Sequence, residues 1–226
     1  MAKNQKQNNS VLELVLLFMI LMISFLIWDT YFIYPIKLFV VLLHEAGHGI
    51  SAILSGGKIV TLSIGLDLSG KCETYGGNNI FIATSGYLGS LLFGLTIFYS
   101  THNKKIGKLF LVLISILILL ISITSMQSIT FMLLAIFFSL LLLSSAFFLN
   151  NKIVSFLLRS FGLLSCVYVL FDIKDDILSR STSISDASIL SNLINVPVLW
   201  IGVSWLIISI AGIFIVMKIS YMKKIK

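Results

Sequence analysis

The stretch VVLLHEAGHGISAILSGGKI, residues 40–59, sets two histidines and a glutamate inside a run otherwise fit for lipid. Ionisable side chains in a membrane helix are expensive, so their presence points first to function. On a helix, positions i and i+4 share a face, which brings His44 and His48 together and leaves Glu45 beside them. Imidazole nitrogens at that spacing suit zinc. A neighbouring carboxylate can take a proton from an activated water and deliver it to a leaving group. With three histidines and three glutamates in 226 residues, a chance HExxH is roughly a one-in-two-thousand event. The competing explanation is a pair of histidines hydrogen-bonding between helices, with Glu45 paired to a lysine. Gly47 and Gly49 permit close approach of another helix, a strand or an extended substrate, and ordinary helix packing explains them equally well.

The surrounding composition agrees with a membrane setting. The chain is 58% hydrophobic and 11% charged, with a mean hydropathy of +1.06. A soluble domain is about half apolar and about one quarter charged. The length fits one integral membrane domain over residues 1–226. The net charge of +7 comes largely from lysines at chain ends and in short loops: Lys3, Lys6, Lys104, Lys105, Lys108, Lys218, Lys223, Lys224 and Lys226. Beside apolar runs these set topology and meet anionic headgroups, so the lipid bilayer is the expected partner and nucleic acid is not. Cys72 and Cys166 form no CxxC pair and read as unpaired thiols. The apolar run Val11 to Trp28 is longer than a usual signal-peptide core and reads as a retained span.

Apolar runs and breakers predict seven helices, at about 11–34, 36–54, 80–99, 106–124, 128–149, 153–173 and 197–218. Residues 58–79 mix β-branched residues with glycines and partly alternate, which predicts two short strands with a turn near Ser69-Gly70. Residues 174–196 form a polar loop ending in a short helical segment. The fold class is therefore an all-α polytopic membrane protein of about seven transmembrane helices, with a short β-hairpin-like insertion after the second.

These pieces resemble the site-2-protease class of intramembrane zinc metalloproteases, peptidase family M50, and its M50B-like branch most. The matching stretches are HEAGHGISAILSGGKI at 44–59, SGYLGSLLFG at 85–94, VLFDIKDDI at 169–177, SDASIL at 185–190 and VPVLWIGVSWLIIS at 196–209. The resemblance implies a multi-pass enzyme, expected in a bacterial cell membrane. It would hydrolyse peptide bonds of membrane-embedded or membrane-adjacent protein or peptide substrates, with Zn2+ as cofactor. It carries His44 and His48 over as zinc ligands and Glu45 as the catalytic acid/base. The alternative is a non-proteolytic protein of the same fold that binds a partner helix and keeps a structural metal site. Retention of Glu45 argues against that, because a structural site needs ligands and no general base.

The third ligand is open. Family members place it in a late Asp-Gly pair, and this chain has none. Counting full crossings puts the end of the sixth helix on the same membrane side as the HEAGH end of the second. Asp172 lies there in apolar sequence and ranks first, with Asp186 as the alternative. Asp175 and Asp176 lie further into polar sequence, where a solvated carboxylate is expected. Glu73 could line the site. Asp29 and His102 fall on the opposite side. A rhomboid-like serine site, a pair of membrane aspartates and a histidine-rich di-iron site each lack residues they would need. The family's orientation puts the HEAGH end toward the cytosol, whereas the lysines at 104–108 and 218–226 favour the reverse.

Overall fold

The computed structural model describes residues 2–28, 30–65, 67–124, 129–178 and 185–222. Among them the elements run α1 (Ala2–Leu26), α2 (Tyr34–Leu54), β1 (Lys58–Ile64), β2 (Gly70–Tyr75), α3 (Asn79–Ser100), α4 (Lys104–Thr124), α5 (Ile129–Phe148), α6 (Asn151–Leu178), α7 (Asp186–Ile194) and α8 (Val198–Met217). A π-helical turn, Lys218–Met222, extends α8. Asp29, and Lys223, Lys224 and Lys226, lie outside the described residues, as do the side chains of Lys3, Lys6, Lys104, Asp175 and Asp176.

Seven of the eight helices fall where apolar runs predict them, and α7 is the short helical segment expected after residue 174. Their ends moved. The first helix starts at Ala2 rather than near residue 11 and stops at Leu26. Tyr34 and Pro35 open α2 instead of closing α1, because proline's missing N–H costs nothing in a first turn. At the other end of α2, Gly56 takes φ +86° and the Gly57 N–H bonds to the Ala52 carbonyl at 2.8 Å. Only glycine adopts that backbone freely, so the helix stops there.

Four described helices are long and apolar enough to cross a membrane: Tyr34–Leu54, Asn79–Ser100, Asn151–Lys174 and Val198–Tyr221. The apolar stretches Val11–Leu26 and Met132–Phe148 are shorter. Phe18, Leu92, Phe137, Trp200 and Phe214 are exposed on helix faces that would meet water in a soluble protein. Such a surface fits a hydrocarbon environment. One charge is buried with its partners: Arg159 on α6 donates to Thr101 Oγ1 at 2.7 Å, to the Glu13 carboxylate and to the Tyr221 hydroxyl at 3.3 Å. It ties α1, the end of α3 and the π-helical turn to α6, satisfying a cation that burial would otherwise penalise.

Glycines set the helix spacing. Gly47 of α2 packs on the Ser85 carbonyl of α3, and a Cβ on Gly89 would find the Gly47 Cα at 3.4 Å. Gly94 of α3 meets Gly162 of α6, where a Cβ on Gly162 would come within 2.6 Å of the Gly94 carbonyl oxygen. The pairs Ser55–Asn78 and Gly47–Gly89 run antiparallel, as do Gly94–Gly162 and Thr101–Arg159. Thus α2 and α6 run in the same sense, and their C-terminal ends reach the same end of the bundle.

The insertion after α2 is an antiparallel hairpin with Ile59 opposite Thr74 and Leu62 opposite Cys72. The turn falls earlier than expected, before Gly70, which already belongs to β2. The Gly65 N–H bonds to the Ser69 carbonyl at 2.7 Å, and the Asp67 carboxylate accepts from the Ser69 N–H and hydroxyl. That side-chain turn closes the loop before the glycine is needed. Leu62 and Ile64 are buried against the helices, which folds the hairpin onto the bundle.

Gly162→Val should therefore cost about 1–3 kcal/mol of stability by overpacking. Gly107→Ala, whose Cβ would find nothing nearer than 3.4 Å, should be nearly neutral. Thermal unfolding in detergent micelles checks the pair; equal losses would contradict the packing described.

Candidate metal centre

The site lies where the end of α2, the start of α3, the end of α6, α7 and the hairpin converge. The i, i+4 spacing puts His44 and His48 on one face, with ring centroids 4.9 Å apart. The His48 Nδ1–H donates to the Ile82 carbonyl at 2.7 Å. A carbonyl only accepts, so this bond fixes the tautomer and leaves Nε2 with a free lone pair. The Ser51 hydroxyl, 2.7 Å from that of Ser85, braces the same α2–α3 contact. The His44 ring packs edge-on against Tyr87 at 4.9 Å, and Tyr87 rests on Trp205 at 5.0 Å.

The third group comes from α7. Asp186 Oδ2 lies 2.9 Å from His44 Nε2 and 3.0 Å from His48 Nε2. Among the described residues, these three are the one His/Cys/Asp/Glu group close enough to share an ion, their donor atoms all within 4.8 Å of one another. Asp186 Oδ2 is buried yet meets no hydrogen-bond geometry with either ring. A buried carboxylate oxygen needs a donor or a cation, and two imidazoles with one carboxylate suit zinc in a catalytic arrangement. The donor set therefore fits the ion that the sequence implies.

Of the two candidate aspartates, the structure brings Asp186 to the histidines and not Asp172. Asp172 lines the same cavity from α6, as the same-side argument requires, but it is outside the convergent group. Asp186 reaches it because Ser185 caps α7. The Ser185 hydroxyl accepts from the Ser188 N–H while the Ser188 hydroxyl accepts from the Ser185 N–H. This reciprocal cap starts the helix at Asp186, and buried Ala187 and Leu190 seat it on the bundle. The stretch Ser-Asp-Ala-Ser was the available signal for this placement.

Glu45 is buried, and its carboxylate packs directly on Gly70 of β2. Glu45, the two histidines and Asp186 open onto one cavity of about 850 Å³, whose wall includes Val41, Leu68, Tyr168 and Ile189. Glu73, which the sequence left open as a lining residue, points outward, accepting from Thr61 at 2.8 Å and pairing with Lys71 at 2.5 Å. Strand alternation explains this: its neighbours Cys72 and Thr74 take the cavity side. Burial pushes the Cys72 thiol up to about 12, with the charges of Glu45 and Asp186 adding to the shift, so it remains protonated. His102 is exposed beyond α3 and bonds locally to the Tyr99 carbonyl.

Spanning helices, a hairpin folded onto one end and a His–His–Asp donor set beside a buried glutamate define a membrane protein built around a candidate metal centre. The family described as Peptidase M50B-like matches residues 16–216, and the chain belongs to it. No curated protein and no solved structure matches the chain.

Asp186→Ala should weaken zinc binding by at least about tenfold, whereas Asp172→Ala should leave it within a few-fold of wild type. Competition with a chromogenic chelator measures both; the reverse order would return the role to Asp172.

Proposed function

We propose that this protein is an intramembrane zinc metalloendopeptidase acting on membrane-embedded or membrane-adjacent peptide bonds. The observation that carries the reading is the position of Glu45, buried in the same cavity as the three donor atoms. His44, His48 and Asp186 would hold the ion. When bound, zinc in such a site supplies Lewis acidity and makes water a nucleophile near neutral pH.

The protein's own residues supply the rest. Glu45 takes the proton from the attacking water and returns it to the leaving amine. The hairpin and α7 wall the cavity beside the donors, with Gly70 and Cys72 on one side and Ser185 and Ile189 on another. The sheet has two strands, so each keeps an outer edge without a strand partner among the described residues. Gly70, Cys72 and Thr74 of β2 line the cavity, and an extended substrate segment can pair along such an edge. A helical substrate would have to unwind to do so, which exposes its backbone to the nucleophile. A purely structural metal site would give Glu45 no task, so its placement supports the proteolytic reading over the helix-binding one.

Glu45→Gln should keep zinc and fold while lowering cleavage by about 10² to 10⁴, since an amide cannot accept the proton. The assay is cleavage of a panel of single-pass membrane proteins co-reconstituted in liposomes. Cleavage of a substrate by the variant at the wild-type rate would contradict the mechanism. Full zinc occupancy with no substrate cleaved by wild type would favour the helix-binding alternative.

A further inference from the structure

We propose that Gly86 on α3 is a positioning residue of the metal centre: the side chain it lacks is the room in which His44, His48 and Asp186 converge. The inference rests on reading that triad as the zinc site. A Cβ on Gly86 would stand 2.5 Å from Asp186 Oδ2, 2.5 Å from His44 Nε2 and 2.6 Å from His48 Nε2. Its three nearest neighbours would thus be the three donor atoms, at almost equal distance and well inside van der Waals contact.

Backbone conformation does not explain the residue. Gly86 lies within α3 and is not among the glycines with positive φ. Glycine costs a helix interior about 1 kcal/mol relative to alanine, so an ordinary helical position is better filled by alanine. At Gly89, one turn on, a Cβ would find nothing nearer than the Gly47 Cα at 3.4 Å, so an alanine fits between the helices there. Helix packing does not explain Gly86, which faces the donors. An ion bound to all three atoms at about 2.0–2.2 Å must use the space they share. A methyl group at nearly equal distance from the same atoms intrudes on that space and pushes the donors apart. Thus α3 supplies no ligand from this position, yet forms the wall that lets ligands from α2 and α7 meet. The surrounding Ser85-Gly86-Tyr87 places the absent side chain between the brace on α2 and the ring that supports His44.

The test compares wild type, Gly86→Ala and Gly89→Ala as full-length chains purified in detergent. Zinc per chain comes from elemental analysis, zinc affinity from chelator competition, and fold from circular dichroism and gel filtration. The expected result is about one zinc per wild-type chain, at least a tenfold loss of affinity in folded Gly86→Ala, and unchanged zinc per folded chain in Gly89→Ala. Wild-type affinity in Gly86→Ala would overturn the proposal while leaving the triad intact. Absence of zinc from wild type would overturn the triad reading and this inference with it. If Gly86→Ala does not fold, Gly86→Ala combined with Asp186→Ala decides. Recovery of folded protein on removing the crowded carboxylate supports the proposal. Failure to recover assigns Gly86 to helix packing and overturns it.

Discussion

The close approach of α2 to α3 at Gly47 and Ser85 governs the site. With no side chain at Gly47, the α3 backbone comes near enough for the His48 Nδ1–H to reach the Ile82 carbonyl at 2.7 Å. The same approach brings Ser51 and Ser85 into a 2.7 Å hydrogen bond. A ring oriented by a backbone carbonyl keeps one tautomer and one direction, and its free nitrogen then points at a fixed place. Tyr87, one residue beyond Gly86, packs edge-on against the other ring. One interhelical contact therefore aims both imidazoles at the point where α7 delivers its carboxylate.

That arrangement also resolves the cost of putting ionisable groups in a spanning helix. His44, Glu45 and His48 would each be penalised singly in an apolar setting. Their surroundings answer this with a backbone carbonyl for His48 and with the Asp186 carboxylate brought to 2.9 and 3.0 Å of the two rings, a donor set that a cation would satisfy. The hairpin contributes its apolar side, Leu62 and Ile64, to the bundle and its Gly70 to the Glu45 carboxylate. Backbone in strand conformation at this position is tolerated because it pairs with itself and lines a cavity. At the other end of α3, the Arg159 cluster satisfies a second buried charge and anchors α1.

Much of this was legible in the sequence, and the exceptions have physical causes. The HEAGH helix could be read because i, i+4 spacing fixes a face wherever the helix lies. The hairpin could be read from alternation, but its turn could not. The Asp67 side chain, rather than the Ser69-Gly70 dipeptide, closes it. Asp186 was harder. A carboxylate in polar sequence is usually solvated, and only the Ser185–Ser188 cap turns that stretch into a helix aimed inward. Counting crossings correctly placed the end of α6 at the site, since Asp172 and Tyr168 line the cavity. Counting could not show that the chain after α6 folds back closer still. Gly86 was quoted only as part of a resemblance, because nothing in a linear sequence reveals which atoms surround a missing side chain.

The central claim is that His44, His48 and Asp186 form one zinc site beside Glu45. X-ray absorption at the zinc K-edge on the purified protein tests it most directly. The account predicts a shell of nitrogen and oxygen only, at about 2.0–2.2 Å, with the outer scattering of two imidazoles. A sulfur contribution at about 2.3 Å, which would bring Cys72 or Cys166 into the coordination, or fewer than two imidazoles, would contradict it.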